Sequence, residues 1–388
     1  MNTIIKKSDV KKSDVKKSDF VLQPYMKSND LKATFQVLNT VIPYFFLWFV
    51  AVKAAAISLW FLPPIMVLIT LMSGRCFSLM HDCGHYSLFT SKKANRIVGF
   101  MFGVINAIPH YPWSRGHAYH HKTNGDWERY KGPSALISTD DFAKLSPSAQ
   151  KRYEWLRHPL MLFPGGFLYL AIKPRLSLIL GSAEFIGHVF TSLKRDFRIS
   201  PAQMIASHKS KQWYTANEFW NYLFNNICVI TAWIVACHFL GTALFLSTYF
   251  ITLTFSAAIF IYVFFTQHNF EGTYAHKTKG WDYLTGAIEG SSYLKLNPVL
   301  NWFSADIGYH NIHHLSERIP NYNLKACHLA NSHLLSTVKT LHLGDMLGCS
   351  KFLLWDYASD SLVTIEAFHQ AEQARNERVP VEVRVGVP

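Results

Sequence analysis

Charged side chains are scarce in this sequence. Asp, Glu, Lys and Arg make up 16% of 388 residues, where soluble domains carry about 25%. Acidic residues are the scarcer sign, 25 against 38 Lys and Arg, which leaves a net charge of +13. In a soluble chain that balance would suggest nucleic-acid binding, but no nucleic-acid module is visible. The plainer account is that Lys and Arg collect beside membrane spans on the cytoplasmic side. No Cys-x-x-Cys pair occurs among Cys76, Cys83, Cys228, Cys237, Cys327 and Cys349, which excludes a disulfide framework and fits reduced thiols. The N-terminal stretch lacks the apolar core of a signal peptide. There is no flavin or dinucleotide motif. The long apolar runs are themselves nearly free of ionisable residues, against the expectation for a metal transporter, whose path needs such groups inside its spans.

What replaces charge is apolar length: 49% hydrophobic and 15% aromatic residues. Four runs approach the ~20 residues needed to cross a bilayer, at about 35–57, 60–80, 219–240 and 243–265. Each pair is joined by a very short turn. The expected fold is therefore all-α and polytopic, with four transmembrane helices in two hairpins and a histidine-rich helical cap on the cytoplasmic side. Val98–Ile108 is too short to span and reads as re-entrant or interfacial. Pro159–Ala171 and Leu176–Phe190 read as interfacial helices lying on the membrane. Residues 1–33, with Lys-Lys-Ser-Asp-Val twice and Lys-Lys-Ser-Asp-Phe once over residues 6–20, are expected to be a disordered basic tail. Residues 34–365 form the membrane domain, and 366–388 a flexible tail.

The 19 histidines are patterned. His310, His313 and His314 fall on one helical face, because positions i, i+3 and i+4 line up at 3.6 residues per turn. His117, His120 and His121 repeat that spacing, and His81 with His85 forms an i, i+4 pair. Hydropathy alone carries these clusters to one membrane face, which points to metal binding. Imidazole suits zinc, copper, iron and nickel alike. Eight or nine histidines exceed one zinc site and fit two ions of higher coordination. Two iron ions at the cytoplasmic membrane mouth suggest oxygen activation on a lipid-soluble substrate. Asp82, Asp126, Asp306 and Glu317 are near enough in sequence to orient the imidazoles. His276 is a further possible contributor.

In four motifs the sequence resembles the membrane fatty acid desaturase family. These are His81-Asp-Cys-Gly-His85; Pro112-Trp-Ser-Arg-Gly-His117-Ala-Tyr-His120-His121; Gln267-His268-Asn; and Ile307-Gly-Tyr-His310-Asn-Ile-His313-His314. Arg318-Ile-Pro-Asn-Tyr-Asn-Leu and Trp281-Asp-Tyr-Leu resemble its acyl-lipid, omega-6 or delta-12-like branch. The resemblance implies a di-iron centre held by His81, His85, His117, His120, His121, His268, His310, His313 and His314. It implies that O2 is a co-substrate, an acyl lipid is the substrate, and the product carries a cis double bond. Electrons would come from an external ferredoxin or cytochrome b5, since no haem domain is fused here. Phe264 stands where the acyl-CoA branch has an asparagine that holds a metal-bound water. The family also implies cytoplasmic histidine boxes, and a bacterial inner membrane is the expected location. Related chemistries on the same boxes are fatty acid hydroxylation or conjugation and carotenoid ketolation or hydroxylation. A membrane protein with incidental histidines is the non-enzymatic alternative.

Overall fold

The computed structural model describes residues 15–130 and 136–377. Helix α1 (Asp30–Ile57) begins where the Asn29 side chain accepts the Lys32 amide, and it ends at extended Ser58. This N-cap satisfies one of the free amides every helix start leaves. A short 3-10 turn leads into α2 (Leu62–Gly84), whose first turn holds Pro63 and Pro64, where proline costs no hydrogen bond. Helix α3 (Lys92–Ile105) and α4 (His110–Thr123) follow. Helices α5 (Leu162–Phe167) and α6 (Lys173–Arg195) are separated by a π-helical turn, Leu168–Ile172. Helices α7 (Ala216–Leu240) and α8 (Thr242–His268) form the second hairpin around Gly241, whose φ of 88° few other residues tolerate. Beyond it lie α9 (His310–Leu315), α10 (Asn321–Ala330) and α11 (Ile365–Glu377).

Five stretches are long and apolar enough to cross a membrane: Asp30–Ile57, Leu59–Gly84, Pro159–Arg195, Ala216–Leu240 and Thr242–His268. Four match the runs read from the sequence. The fifth was expected as two separate interfacial islands and is instead one helical run. Its first half lies against the middle of α8, with Phe163 on Phe255 (5.0 Å) and Phe167 on Phe250 (5.7 Å). A Cβ on Gly166 would meet Ala257 at 3.2 Å, so the backbones are in close approach. After the π turn the run follows α7: Arg175 donates to Asn225 and Asn226 (2.5 and 2.6 Å), Gly181 abuts Trp213, and Ser210 donates to Glu184 (2.9 Å). The two halves thus descend along α8 and return along α7.

Helix α2 is the axis of the bundle, packed by α1, α3, α4 and α8. Every residue from Arg75 to Cys83 is buried. Small sheets complete the molecule on the histidine side. Strands β1 (Ile137–Ser138), β4 (Phe352–Asp356) and β5 (Ser361–Thr364) form one, with β4 in the middle, parallel to β1 and antiparallel to β5. Strands β2 (Tyr293–Leu294) and β3 (Thr340–Leu341) pair in parallel.

The described residues at both ends make tertiary contacts. From residues 15–29, Phe20 and Leu22 are buried against Ile312, Leu315 and Ile319, and Asn331 bonds both main-chain groups of Val21 (2.8 and 3.1 Å). The third repeat copy ends in Phe20 where the first two end in Val10 and Val15, and that ring supplies the anchor. Residues 366–377 continue α11, with Phe368 buried on Phe142. Residues 6–14 of the repeat and the segment from residue 378 lie outside the described residues.

Candidate metal centre

The inner ends of α2 and α8 and the helices α4 and α9 meet at one point, each bringing histidines. His81 and His85 close α2, and His268 is the last residue of α8. His117, His120 and His121 occupy consecutive turns of α4, and His310, His313 and His314 lie on α9. The nine imidazoles sort into two groups: His81, His85, His117, His121 and His313, and His120, His268, His310 and His314. Within each group one nitrogen per ring lies within 4.8 Å of every other.

The inward atoms are Nε2. His121 Nε2 is 3.0 Å from both His117 Nε2 and His313 Nε2. In the second group His268 Nε2 is 3.1 Å from His120 Nε2 and 2.9 Å from His310 Nε2, and His310 Nε2 is 3.1 Å from His314 Nε2. The Nε2 atoms of His81 and His85 are buried with no protein partner, a costly arrangement unless a cation occupies the space between them. Five nitrogens in one group and four in the other, each set drawn within 4.8 Å, are donor sets that could each hold a metal ion. Burial, reinforced by repulsion between rings, pushes His117, His120, His121, His310, His313 and His314 well below the usual imidazole range. These rings are neutral at physiological pH, the state in which imidazole binds a metal.

The outward nitrogens explain the neighbouring residues. His81 Nδ1 meets Asp82 Oδ1 at 3.2 Å, and Asp82 Oδ2 accepts from the backbone and side chain of Asn321 (2.8 and 2.9 Å). The Ile-Pro-Asn-Tyr segment after the last box is thus a clamp on the first. His85 Nδ1 meets Glu317 Oε2 at 3.2 Å, and that hydrogen bond holds the Glu317 carboxyl below its usual range. His268 Nδ1 lies 2.9 Å from the Gly290 carbonyl, which Asn124 Nδ2 also approaches (3.2 Å). Nothing in the sequence marks Gly290, because its contribution is a backbone oxygen brought in by a loop. Phe264 faces His81, His117 and His310 (5.9, 6.0 and 5.5 Å) and covers the site on the membrane side.

The other expected supports are elsewhere. Asp126 is buried and accepts from Arg129 and Thr278. His276 offers its main chain to Gly125 and Trp127 and its Nδ1 to the Lys277 carbonyl. Asp306, its carboxyl pushed up to about 6 by burial, is influenced by Lys325, Arg75 and Asp82. Among the described residues His110, His276 and His328 belong to neither group.

The family model for fatty acid desaturases matches residues 57–341, from the end of α1 to β3. A fatty acid desaturase of Bacillus subtilis is 28% identical over 346 residues, covering 89% of this chain and 88% of its own. The sn-1 acyl-lipid omega-3 desaturase (ferredoxin) of Synechocystis is 26% identical over 336 residues, covering 78% and 81%. The endoplasmic-reticulum acyl-lipid omega-3 desaturase (cytochrome b5) of Arabidopsis thaliana is 24% identical over 297 residues, covering 74% and 67%. A match of that extent takes in every segment that carries a box, and the chain belongs to the fatty acid desaturase family, oxidoreductases that act on fatty acids.

Proposed function

We propose that the nine box imidazoles hold two iron ions and that the enzyme uses them with O2 to place a cis double bond in the acyl chain of a membrane lipid. The observation that carries this reading is the pair of convergent Nε2 clusters, five imidazoles and four, seated where two apolar helices end. Bound iron would supply the oxidising chemistry needed to break unactivated C–H bonds. The protein's own part is positional. Asp82, Glu317 and the Gly290 carbonyl hold three rings with Nε2 inward, and Phe264 with Trp113 keeps the membrane side apolar. The substrate class is supported by relatives named acyl-lipid desaturases. Their names say omega-3, not the omega-6 position of the branch that the motifs resemble.

Four crossings remain the reading of the topology. Arg115 of α4 pairs with Glu218 in the first turn of α7 at 2.7 Å. The chain between them therefore leaves and returns to the same face, so the run Pro159–Arg195 is a re-entrant helical hairpin bent at its π turn. Lys122, Lys151, Lys194 and Lys209 lie in that stretch and argue that this face is cytoplasmic. The proposed location is a bacterial inner membrane, with which a relative from a bacterium is compatible. The electron donor is external, a ferredoxin or a cytochrome b5, the two kinds that the relatives' names carry.

The test is the fatty acid profile of an expressing host by gas chromatography–mass spectrometry, with a His313→Ala control and iron counted in the purified protein. The proposal expects two irons per chain and a new unsaturated acid that the control abolishes. A hydroxylated product would overturn the reaction, and iron-free protein with full activity would overturn the centre.

A further inference from the structure

Removing one hydrogen from each of two neighbouring methylenes yields two electrons and two protons. Reducing O2 to two waters takes four of each. The missing two electrons must cross from a one-electron donor outside the protein, and tunnelling falls off exponentially with distance. Conjugated side chains in contact carry it better than saturated ones. On the basis of the metal-centre reading above, we infer that Trp127 is the bridge by which an external donor protein reduces the iron that the second histidine group would hold, with Tyr357 at the surface end and Tyr130 at the inner end.

Trp127 lies six residues beyond His121 and is held rigidly: its amide donates to the His276 carbonyl (2.9 Å), and the His276 amide donates to the Gly125 carbonyl (2.7 Å). Buried Asp126 ties down Arg129 and Thr278 on either side. The two residues that the sequence suggested as supports for the metal thus secure this turn. The Trp127 indole stacks on Trp355 of β4, with centroids 5.2 Å apart and planes at 26°, and Trp355 in turn meets the Tyr357 ring edge-on at 6.3 Å. Tyr357 is half-exposed at the end of β4, with Lys277 Nζ 4.3 Å above its ring. At the other end Trp127, Tyr130 and His268 line one small cavity, and the Tyr130 ring lies 5.3 Å from His120. His120 and His268 are two of the four imidazoles of the second group. The rings conduct as a bridge and are not themselves oxidised.

A ruthenium–bipyridine photosensitiser attached to Ser359→Cys, beside Tyr357, makes the test independent of the natural donor. The iron-loaded protein is flashed with a sacrificial reductant present, and loss of the ferric absorbance is timed. We expect reduction several-fold slower in Trp127→Leu than in the parent, with Trp127→Phe between them. Iron content and reduction by free methyl viologen radical should be equal in all three, which a distorted metal centre would not leave equal. Tyr357→Leu should slow the reaction in the same way and serves if Trp127→Leu does not fold. Iron-loaded Trp127→Leu or Tyr357→Leu reduced at the parental rate would overturn the bridge. A parent protein that binds no iron would overturn the metal-centre reading itself.

Discussion

At the scale of single residues, the unequal surroundings of the two histidine groups have consequences. Two carboxylates, Asp82 and Glu317, back the first group, whereas the second has a backbone carbonyl behind His268. A carboxylate behind a ligating imidazole fixes its tautomer and raises its basicity, and its loss typically costs 10–100-fold in metal affinity. Glu317→Gln should therefore lower iron retention against a chelator by roughly that factor, as read by metal analysis after dialysis. Retention equal to the wild type would show that the Glu317 contact is incidental. Asp306 gives a pH-dependent prediction. Its carboxyl titrates near 6, where its ordinary value is 3.8, because burial outweighs the attraction of Lys325 and Arg75. The folded state binds this proton more tightly than the unfolded state does, so the group favours folding at low pH and opposes it once ionised. Asp306→Asn should raise the thermal midpoint in detergent at pH 8. Its advantage should shrink as the pH falls through 6 and vanish below about 3.8. Asn also suits the φ of 55° found there.

At the scale of elements, two segments make contacts that can be broken separately. The α5–α8 approach depends on Gly166, where a Cβ would stand 3.2 Å from both Ala257 and Ile261. Gly166→Val should destabilise the bundle by about 1–3 kcal/mol through overpacking, while Gly165→Ala, which faces open space, should be nearly neutral. Thermal unfolding in one detergent compares them, and equal midpoints would mean that the hairpin is not seated on α8. The N-terminal segment is anchored by Phe20 in the same apolar cluster as Ile312 and Leu315 of α9. Phe20→Ala should cost about 3–5 kcal/mol of local stability and loosen the last box. Hydrogen exchange over residues 309–316 should rise in this variant, and unchanged protection would rule out that coupling. The sequence concealed this contact because an isolated aromatic in a lysine-rich repeat has no periodicity to announce burial.

At the scale of the whole molecule, the topology is open to chemical mapping. Cysteines placed at Trp60 and Thr242, in the two short hairpin turns, should react with impermeant reagent from one side of the membrane. Cysteines at Gly187 and Ser207 should react from the other. Labelling of Gly187→Cys from the same side as Trp60→Cys would make Pro159–Arg195 a fifth crossing and remove the basis for the re-entrant hairpin.

Hydropathy by itself determined four apolar runs long enough to cross a bilayer, histidine spacing the eight rings of three boxes, and the resemblance of the motifs the family and His268. Each of these is a local property: apolar length sets a span, and 3.6 residues per turn set the faces of α4 and α9. Tertiary structure alone decided how His120 parts from His117 and His121 to join the other group. Adjacent positions on a helix point about 100° apart, and only the arrival of α8 and α9 gives each direction a partner. It also decided that Asp82 and Glu317 touch imidazoles while Asp126 and Asp306 do not, since nearness in sequence says nothing of direction. The fold of Pro159–Arg195 back along α7 and α8 depended on Gly166, Gly181, Arg175 and Asn225 meeting across the bundle. Hydropathy cannot encode such contacts, because they join residues distant in the chain.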